Sequence, residues 1–538
     1  MNFIDQKPVV NDISALVPLH TSNAVKTEFA PTFALTAQAK ALRVLLLQPL
    51  YPPEAIWASI KAEQGYLPPM GTISVYAWLR HRGYQVEHID TQFGDVTEAS
   101  LTTRLREARY DVVALPVFTP LVDYACNTAR LIRSVLPSCK IVFGGIHVTT
   151  LPEETMRQCP ECDFIIRHEA EYSFDEFLSA YANGDHDWRK IRGLVYRDES
   201  AKVVVNPQRP FIGDLDSLPR AFYSDLDLKP YRPHATQYVR LPSIPILTQR
   251  GCPYSCSYCE AGLILGKKVR FFSPQRILEE IKILTREKGI RDVYFQDSTF
   301  TIRKSWTMEL MELMIREKLD LTWTCNTRAD RIDQELLEAM YQAGGRQLQM
   351  GIESGNQASL DLVKKGLTVE QQTQGVQWAH DAGFRCFLSY ILCLPGETPD
   401  MVRNTIEYSK TLAAQTAIFF LPVPYPGSDL FESCKKSGGL RETASWSDFL
   451  TLDFDNPVYV NPLFGVEGMR YWYKRAFIDY YTSPRVLWRN VKSISTIEDV
   501  GRLSRGVRIM SHSIAHGLSG FLRFQYRGFH GQAAPLID

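Results

Sequence analysis

The chain has 538 residues, 45% hydrophobic and 22% charged, with sixty lysines and arginines balancing sixty aspartates and glutamates. That length suggests two to four domains at roughly 100–200 residues each, and the even charge removes any argument for nucleic acid or an acidic partner. No run of about 18 apolar residues occurs, which argues against a membrane-spanning helix, and Met1 to Lys40 lacks the basic-then-apolar order of a signal peptide.

Residues 1–40 carry Pro8, Pro18 and Pro31 among polar residues without a sustained period, and are expected to form a mobile leader. From Arg43 the pattern changes. The short apolar run Val44–Leu47 predicts a buried strand, and Val86–Ile89, Val112–Leu115 and Lys140–Phe143 repeat the strand signal. Segments of helical period at Pro69–Arg82 (stopped by Gly83), 97–108 and 121–135 lie between them. Strands alternating with helices predict a doubly wound parallel sheet over 41–185. Residues 186–243, rich in Pro and Asp, are expected to connect two domains and to hold a hairpin at Gly193–Val205.

A second alternating series follows, with strands expected at Ile244–Gln249, Asp292–Gln296, Leu321–Asn326, Gln347–Ile352, Arg385–Leu392 and Gln415–Phe420. A helix is expected at Pro274–Lys288, with Ser273 as N-cap and Pro274 at the first helical position. Six such units over 244–425 predict an α/β fold related to the eight-unit barrel but incomplete, and 426–538 is expected to be mostly helical. The run Arg250-Gly251-Cys252-Pro253-Tyr254-Ser255-Cys256-Ser257-Tyr258-Cys259 falls just after the first strand, at the end where such folds place their sites. Three thiolates so spaced can each hold one iron of a four-iron cluster. The next cysteine downstream is Cys325, so one iron would stay open for a ligand that is not protein. Zinc is the alternative, but a closed tetrahedral site needs four ligands. A disulfide knot suits neither eleven cysteines nor the missing signal peptide, and a cluster belongs in a reducing cytoplasm.

The CxxxCxxC run, with Tyr258 before its third cysteine, resembles the radical S-adenosylmethionine (SAM) superfamily, in which SAM chelates the open iron. The order of the two domains, with Pro68–Gly71, His81–Val86, Gly144–Thr150, Leu151–Glu154, Gln296–Phe300, Gly351–Gly355 and Leu394–Glu397, resembles the cobalamin-binding radical SAM enzymes over most of residues 43–430. That resemblance implies a 4Fe-4S cluster, SAM and cobalamin as cofactors. Cobalamin contacts are expected at Gly144, Gly145, Thr149 and Thr150, where glycine admits close backbone approach and the hydroxyls suit a nucleotide tail. The alternative for Gly144-Gly145 is a tight turn. No Asp-x-His-x-x-Gly occurs to supply a histidine to cobalt, and His147 is most simply a structural residue. SAM contacts are expected at Tyr258, Asp297, Asn326, Arg328, Glu353 and Ser354; Asp297, Asn326, Arg328 and Glu353 fall at or just after barrel strand ends, where capping a helix or pairing with a neighbour is the alternative for each. Glu169 and Glu171 stand where the family often has Gly-Glu-Gly-Glu.

The resemblance implies reductive cleavage of SAM to a 5′-deoxyadenosyl radical and methylation of an unactivated carbon of a metabolite or lipid-like substrate, with an electron donor such as flavodoxin or ferredoxin. The same architecture would also serve an oxidative cyclase, as in anaerobic tetrapyrrole synthesis, or a ring-rearranging enzyme. From another class, a cobalamin or redox sensor without turnover is a further alternative. Over 468–538 eleven basic residues face four acidic ones, interleaved with Tyr471, Trp472, Tyr473, Phe477, Tyr480, Tyr481, Trp488, Phe521, Phe524, Tyr526 and Phe529. This tail is expected either to pack as a helical lid or to meet an anionic membrane or lipid-like substrate.

Overall fold

The computed structural model describes residues 31, 34–52, 54–57, 65–220, 226–234, 236–441 and 444–492. The expected leader lies almost entirely outside them. Its described end is a short helix, Ala37–Ala41, whose first turn is capped by the Thr36 hydroxyl accepting from the Ala39 amide at 3.2 Å.

The first sheet has seven strands: β1 (Arg43–Leu47), β2 (Gln85–Ile89), β3 (Val112–Pro116), β4 (Lys140–Gly144), β5 (Phe164–Ile166), β6 (Leu194–Arg197) and β7 (Val203–Val205). Their order is β2-β1-β3-β4-β5-β6-β7. The first five pair in parallel, and β6 and β7 add antiparallel at one edge. The four expected strands recur within one residue of their ends. Both faces are covered. Leu45 and Leu47 join Leu101, Leu105 and Ile132 on one side, while Val44 and Leu46 join Trp78, Leu79 and Phe177 on the other. The strand period of two makes this division. The helix Met70–Arg82 ends on Gly83 at φ 96°, where only glycine is unstrained.

The region read as a connector is therefore partly sheet. Its hairpin is present, and β6 pairs with β5 rather than standing free. β5 escapes a sequence reading because it is only three residues long.

The second sheet contains β8 (Ser243–Ile246), β11 (Asp292–Phe295), β12 (Thr322–Thr327), β13 (Gly345–Glu353), β14 (Arg385–Ile391) and β15 (Thr416–Phe420), all parallel and neighbouring in chain order. It is an open six-unit relative of the (β/α)8 barrel. Ser273 caps the helix Pro274–Lys288 as expected. The first strand differs from expectation: it stops at Ile246, and Gln249–Arg250 forms a separate strand, β9, paired antiparallel with β10 (Arg270–Phe271). The physical cause is Asp297, whose Oδ1 accepts from the amides of Thr248 at 2.8 Å and Gln249 at 3.1 Å and draws them out of the ladder.

The described part of the C-terminal region is helical at Asp429–Ser437, Gly465–Tyr481 and Pro484–Lys492. Tyr480 and Tyr481 donate to the carbonyls of Ala414 at 3.1 Å and Ala417 at 2.9 Å, and Trp472 and Tyr473 are buried against the barrel core. The helix Gly465–Tyr481 thus packs as the lid reading expects. Phe521, Phe524, Tyr526 and Phe529 lie outside the described residues.

Candidate functional site

The loop carrying Cys252, Cys256 and Cys259 leaves β9 and returns through β10. Its neck is narrow. Gly251 has φ 108°, and a Cβ there would lie 2.4 Å from the Lys268 carbonyl oxygen. The Cys252 amide donates to the Gly266 carbonyl at 3.0 Å, and Lys267 donates to the Tyr254 carbonyl. Beyond the neck, the Ser257 amide donates to the Val363 carbonyl at 3.0 Å, and its own carbonyl accepts from the Leu430 amide at 2.8 Å. Cys252 is buried, Cys256 half-buried and Cys259 exposed, and none is in a disulfide. Burial pushes the Cys252 thiol up, while the positive charges of Lys267 and Arg328 act downward, the direction a thiolate ligand needs. Among the described residues no three His, Cys, Asp or Glu side chains are gathered to share one metal ion. A four-iron cluster does not require that, since each thiolate takes a separate iron.

Around this loop the strand-end residues make specific contacts. The Tyr258 hydroxyl donates to Glu353 Oε1 at 2.7 Å, and Lys365 Nζ reaches the same oxygen at 2.7 Å. Glu353 sits at φ 64°, where the β13–β14 register shifts. Arg328 stacks over the Tyr254 ring at 3.8 Å and pairs with Asp330 at 2.8 Å. Arg331 donates to the Tyr254 hydroxyl at 2.6 Å. The other three expected residues are engaged inward. Asp297 is buried, with Thr248 on its second oxygen at 2.6 Å, and burial pushes its carboxyl up to about 7. Asn326 accepts from the Tyr294 hydroxyl at 2.8 Å and donates to the Asp297 carbonyl at 3.0 Å. Ser354 is fully buried against Thr405 at 2.9 Å.

On the first sheet, Gly144, Gly145, Thr149 and Thr150 lie at the carboxyl end of β4 and in the short helix after it. Gly145 has φ 104°, and a Cβ would meet the Val117 backbone at 2.8 Å, so its first role is close approach between two chain segments. The Thr149 hydroxyl donates to the Gly145 carbonyl at 2.8 Å and accepts from the His168 amide at 3.0 Å. The Thr150 hydroxyl donates to the His147 carbonyl at 3.0 Å. These hydroxyls order the turn. His147 is buried edge-on to Trp446 at 4.9 Å, with Nδ1 at 3.2 Å from the Thr119 hydroxyl, and burial pushes its pKa down to about 4.

This edge touches the cysteine loop directly. His168 Nδ1 lies 3.1 Å from the Leu263 carbonyl. Arg250 pairs with Glu169 at 3.0 Å and Glu171 at 2.6 Å, and Arg270 with Glu169 at 2.9 Å, all four side chains being nearly inaccessible. Burial opposes the charge on Arg250, yet Glu171 and Glu169 together hold its pKa above the ordinary value.

The description "Radical SAM superfamily" matches residues 246–409, and "B12 binding domain" matches residues 59–178. An uncharacterized methyltransferase of Pyrococcus horikoshii is 31% identical over 452 residues, covering 84% of this chain and 95% of its own. The chain belongs to the cobalamin-binding radical SAM enzymes. An anaerobic magnesium-protoporphyrin IX monomethyl ester cyclase of Rubrivivax gelatinosus is 27% identical, over 78% of this chain and 73% of its own. The fold matches that of the radical SAM methyltransferase TsrM from Kitasatospora setae, solved with cobalamin and a [4Fe-4S] cluster, at TM-score 0.65 and 17% identity, over 89% of this chain and 100% of that one.

As a member of this family the protein is an enzyme, and its cofactors are a 4Fe-4S cluster, SAM and cobalamin. The residues fit them. Three unpaired thiols occupy the cluster loop, and at the sheet edge the buried Nε2 atoms of His147 and His168 have no hydrogen-bond partner among the described residues, so a polar ligand would satisfy them. Sequence reasoning missed Lys365, Tyr254, Arg250 and Arg270. The last two had one signal, an arginine directly flanking the motif and another closing its loop, but their acidic partners are 79 to 101 residues away.

Proposed function

We propose that this enzyme transfers a methyl group to an unactivated carbon of a small metabolite or lipid-like substrate. The observation that carries this reading is the direct junction, through Arg250, Glu169 and Glu171, of the cysteine loop with the carboxyl edge of the first sheet. In this reading the chemistry supplied from the two domains meets beside that junction. When bound, the cluster with SAM supplies a radical at the substrate carbon and cobalamin supplies the methyl group.

In this reading Cys252, Cys256 and Cys259 hold the cluster. Tyr258, Glu353 and Arg328 would border SAM, and Asp297, Asn326 and Ser354 hold the strand ends in place. Gly144, Gly145, Thr149 and Thr150 would shape the backbone on which cobalamin rests. We divide the chain functionally into a leader (1–40), a cobalamin-binding-like domain (41–185), a connector (186–243) that lends β6 and β7 to that domain's sheet, the radical SAM barrel (244–425) and a C-terminal region (426–538) whose described part is helical. A flavodoxin or ferredoxin supplies the electron, in a reducing cytoplasm suited to eleven unpaired cysteines. The tail touches anionic membrane through the helix Pro484–Lys492.

The test is an anaerobic reaction with SAM labelled in its methyl carbon, hydroxocobalamin, a reductant and a small-molecule extract of the source cell. Label is expected in a product one CH2 unit heavier than its precursor. Formation of 5′-deoxyadenosine without transfer of label would reject methylation. It would favour the second reading, a cyclase, which the likeness to the Rubrivivax gelatinosus enzyme supports.

A further inference from the structure

The cysteine loop is closed at its neck by two arginines. Arg250 and Arg270 lie directly opposite each other in the β9–β10 ladder. Like charges so placed repel, and both side chains are nearly inaccessible. Among the described residues, no acidic side chain of the barrel pairs with either of them. Their counter-charges come from the other domain. Glu169 Oε1 accepts from Arg250 at 3.0 Å and from Arg270 at 2.9 Å, and its Oε2 accepts from the Ile212 amide at 2.8 Å. Glu171 Oε1 accepts from Arg250 and from the Ser74 hydroxyl, each at 2.6 Å. Arg270 returns a bond to the Ile212 carbonyl at 2.7 Å. Two positive and two negative groups thus neutralise one another, and an uncompensated member in such a setting is strongly unfavourable.

We infer that Glu169 and Glu171 are positioning residues for the cluster loop: acting through Arg250 and Arg270, they make the sheet domain set where Cys252, Cys256 and Cys259 lie. This rests on the reading that those cysteines hold the cluster. Asp297 fixes the barrel side of the neck through Thr248 and Gln249, and the two glutamates fix the side facing the sheet. Because Arg250 is two residues from Cys252, the network also sets the charge beside the cluster.

The test uses the full chain, reconstituted anaerobically with iron, sulfide and hydroxocobalamin. Three measurements are made on Glu169→Gln, Arg270→Gln and the double variant: iron content, hydrogen exchange of the amides in 251–269, and the cluster midpoint potential by electron paramagnetic resonance. Glu169→Gln is expected to keep about four irons per chain, to exchange in 251–269 at least tenfold faster, and to shift the potential in the positive direction. Arg270→Gln should shift it in the negative direction, and the neutral double variant should return it to the wild-type value while exchange stays fast. If Glu169→Gln does not fold, the double variant and Arg270→Gln still read exchange and potential. Unchanged exchange in 251–269 overturns the inference. Faster exchange without opposite shifts marks a merely structural tie and overturns it too. Iron retained by a Cys252→Ala/Cys256→Ala/Cys259→Ala protein would reject the cluster reading instead, leaving the exchange result to decide the positioning by itself.

Discussion

Asp292 shows what a single buried carboxyl does to this fold. It begins β11, fully inaccessible, and accepts from Ser243 at 2.8 Å, Thr322 at 2.6 Å and the Val239 amide at 3.2 Å. Those bonds favour its charge, but burial dominates and pushes the carboxyl up to about 7. An unfolded aspartate titrates near ~3.9. Between those values the folded protein binds the proton and the unfolded chain does not. This group therefore makes the protein most stable below about pH 4 and less stable as pH rises to about 7, with no further change above. Asp292→Asn should flatten that slope and be more stable than wild type at pH 8 by about 1 kcal/mol. Denaturant midpoints between pH 5 and pH 8 measure it, and an unaltered slope would count against the assignment. At the same scale, the strand-end positions of Asn326 and Glu353 were legible from strand patterning. Their contacts were not, since Tyr258 is 95 residues from Glu353 and Tyr294 is 32 from Asn326.

Among elements, the neck formed by β9 and β10 is the piece on which the site depends. An apolar run predicts one strand through Gln249, but periodicity has no term for a carboxylate arriving from the next strand. The neck also explains Gly251. Its left-handed φ and the 2.4 Å approach to Lys268 leave no room for a side chain. Gly251→Ala should therefore cost about 1–3 kcal/mol and open the loop. We expect a lowered thermal midpoint and iron content well below that of wild type after anaerobic reconstitution. Full iron with an unchanged midpoint would remove the neck from the explanation of cluster binding.

Across the whole molecule the terminal described helix, Pro484–Lys492, is the part least absorbed by the fold. Val486 is buried against the barrel core, yet Leu487, Trp488 and Val491 are 49%, 62% and 54% exposed. The exposed Arg485 and Lys492 accompany them, Arg489 donates to the Ala414 carbonyl at 2.8 Å instead, and the helix contains no acidic residue. Basic residues near an anionic bilayer contribute about 1 kcal/mol each, and exposed aromatics suit the interface. Flotation with vesicles of anionic and of neutral lipid should show binding only to the anionic set, released by high salt and weakened in Trp488→Ser. Equal recovery in both sets would leave the helix as lid alone. No described helix is long and apolar enough to cross a membrane.

The sequence by itself determined the two alternating series, the place of the cysteine loop at a strand end and the family. Each depends on spacing within a few residues or on the order of segments along the chain, which local periodicity and motif spacing carry. Tertiary structure alone decided that Gly145 serves a close approach to Val117, that Asp297 bends the first barrel strand, and that Glu169 and Glu171 grip the neck of the cluster loop. Buried charges require partners, and which partners they find depends on how segments 79 to 101 residues apart are brought together by two packed sheets.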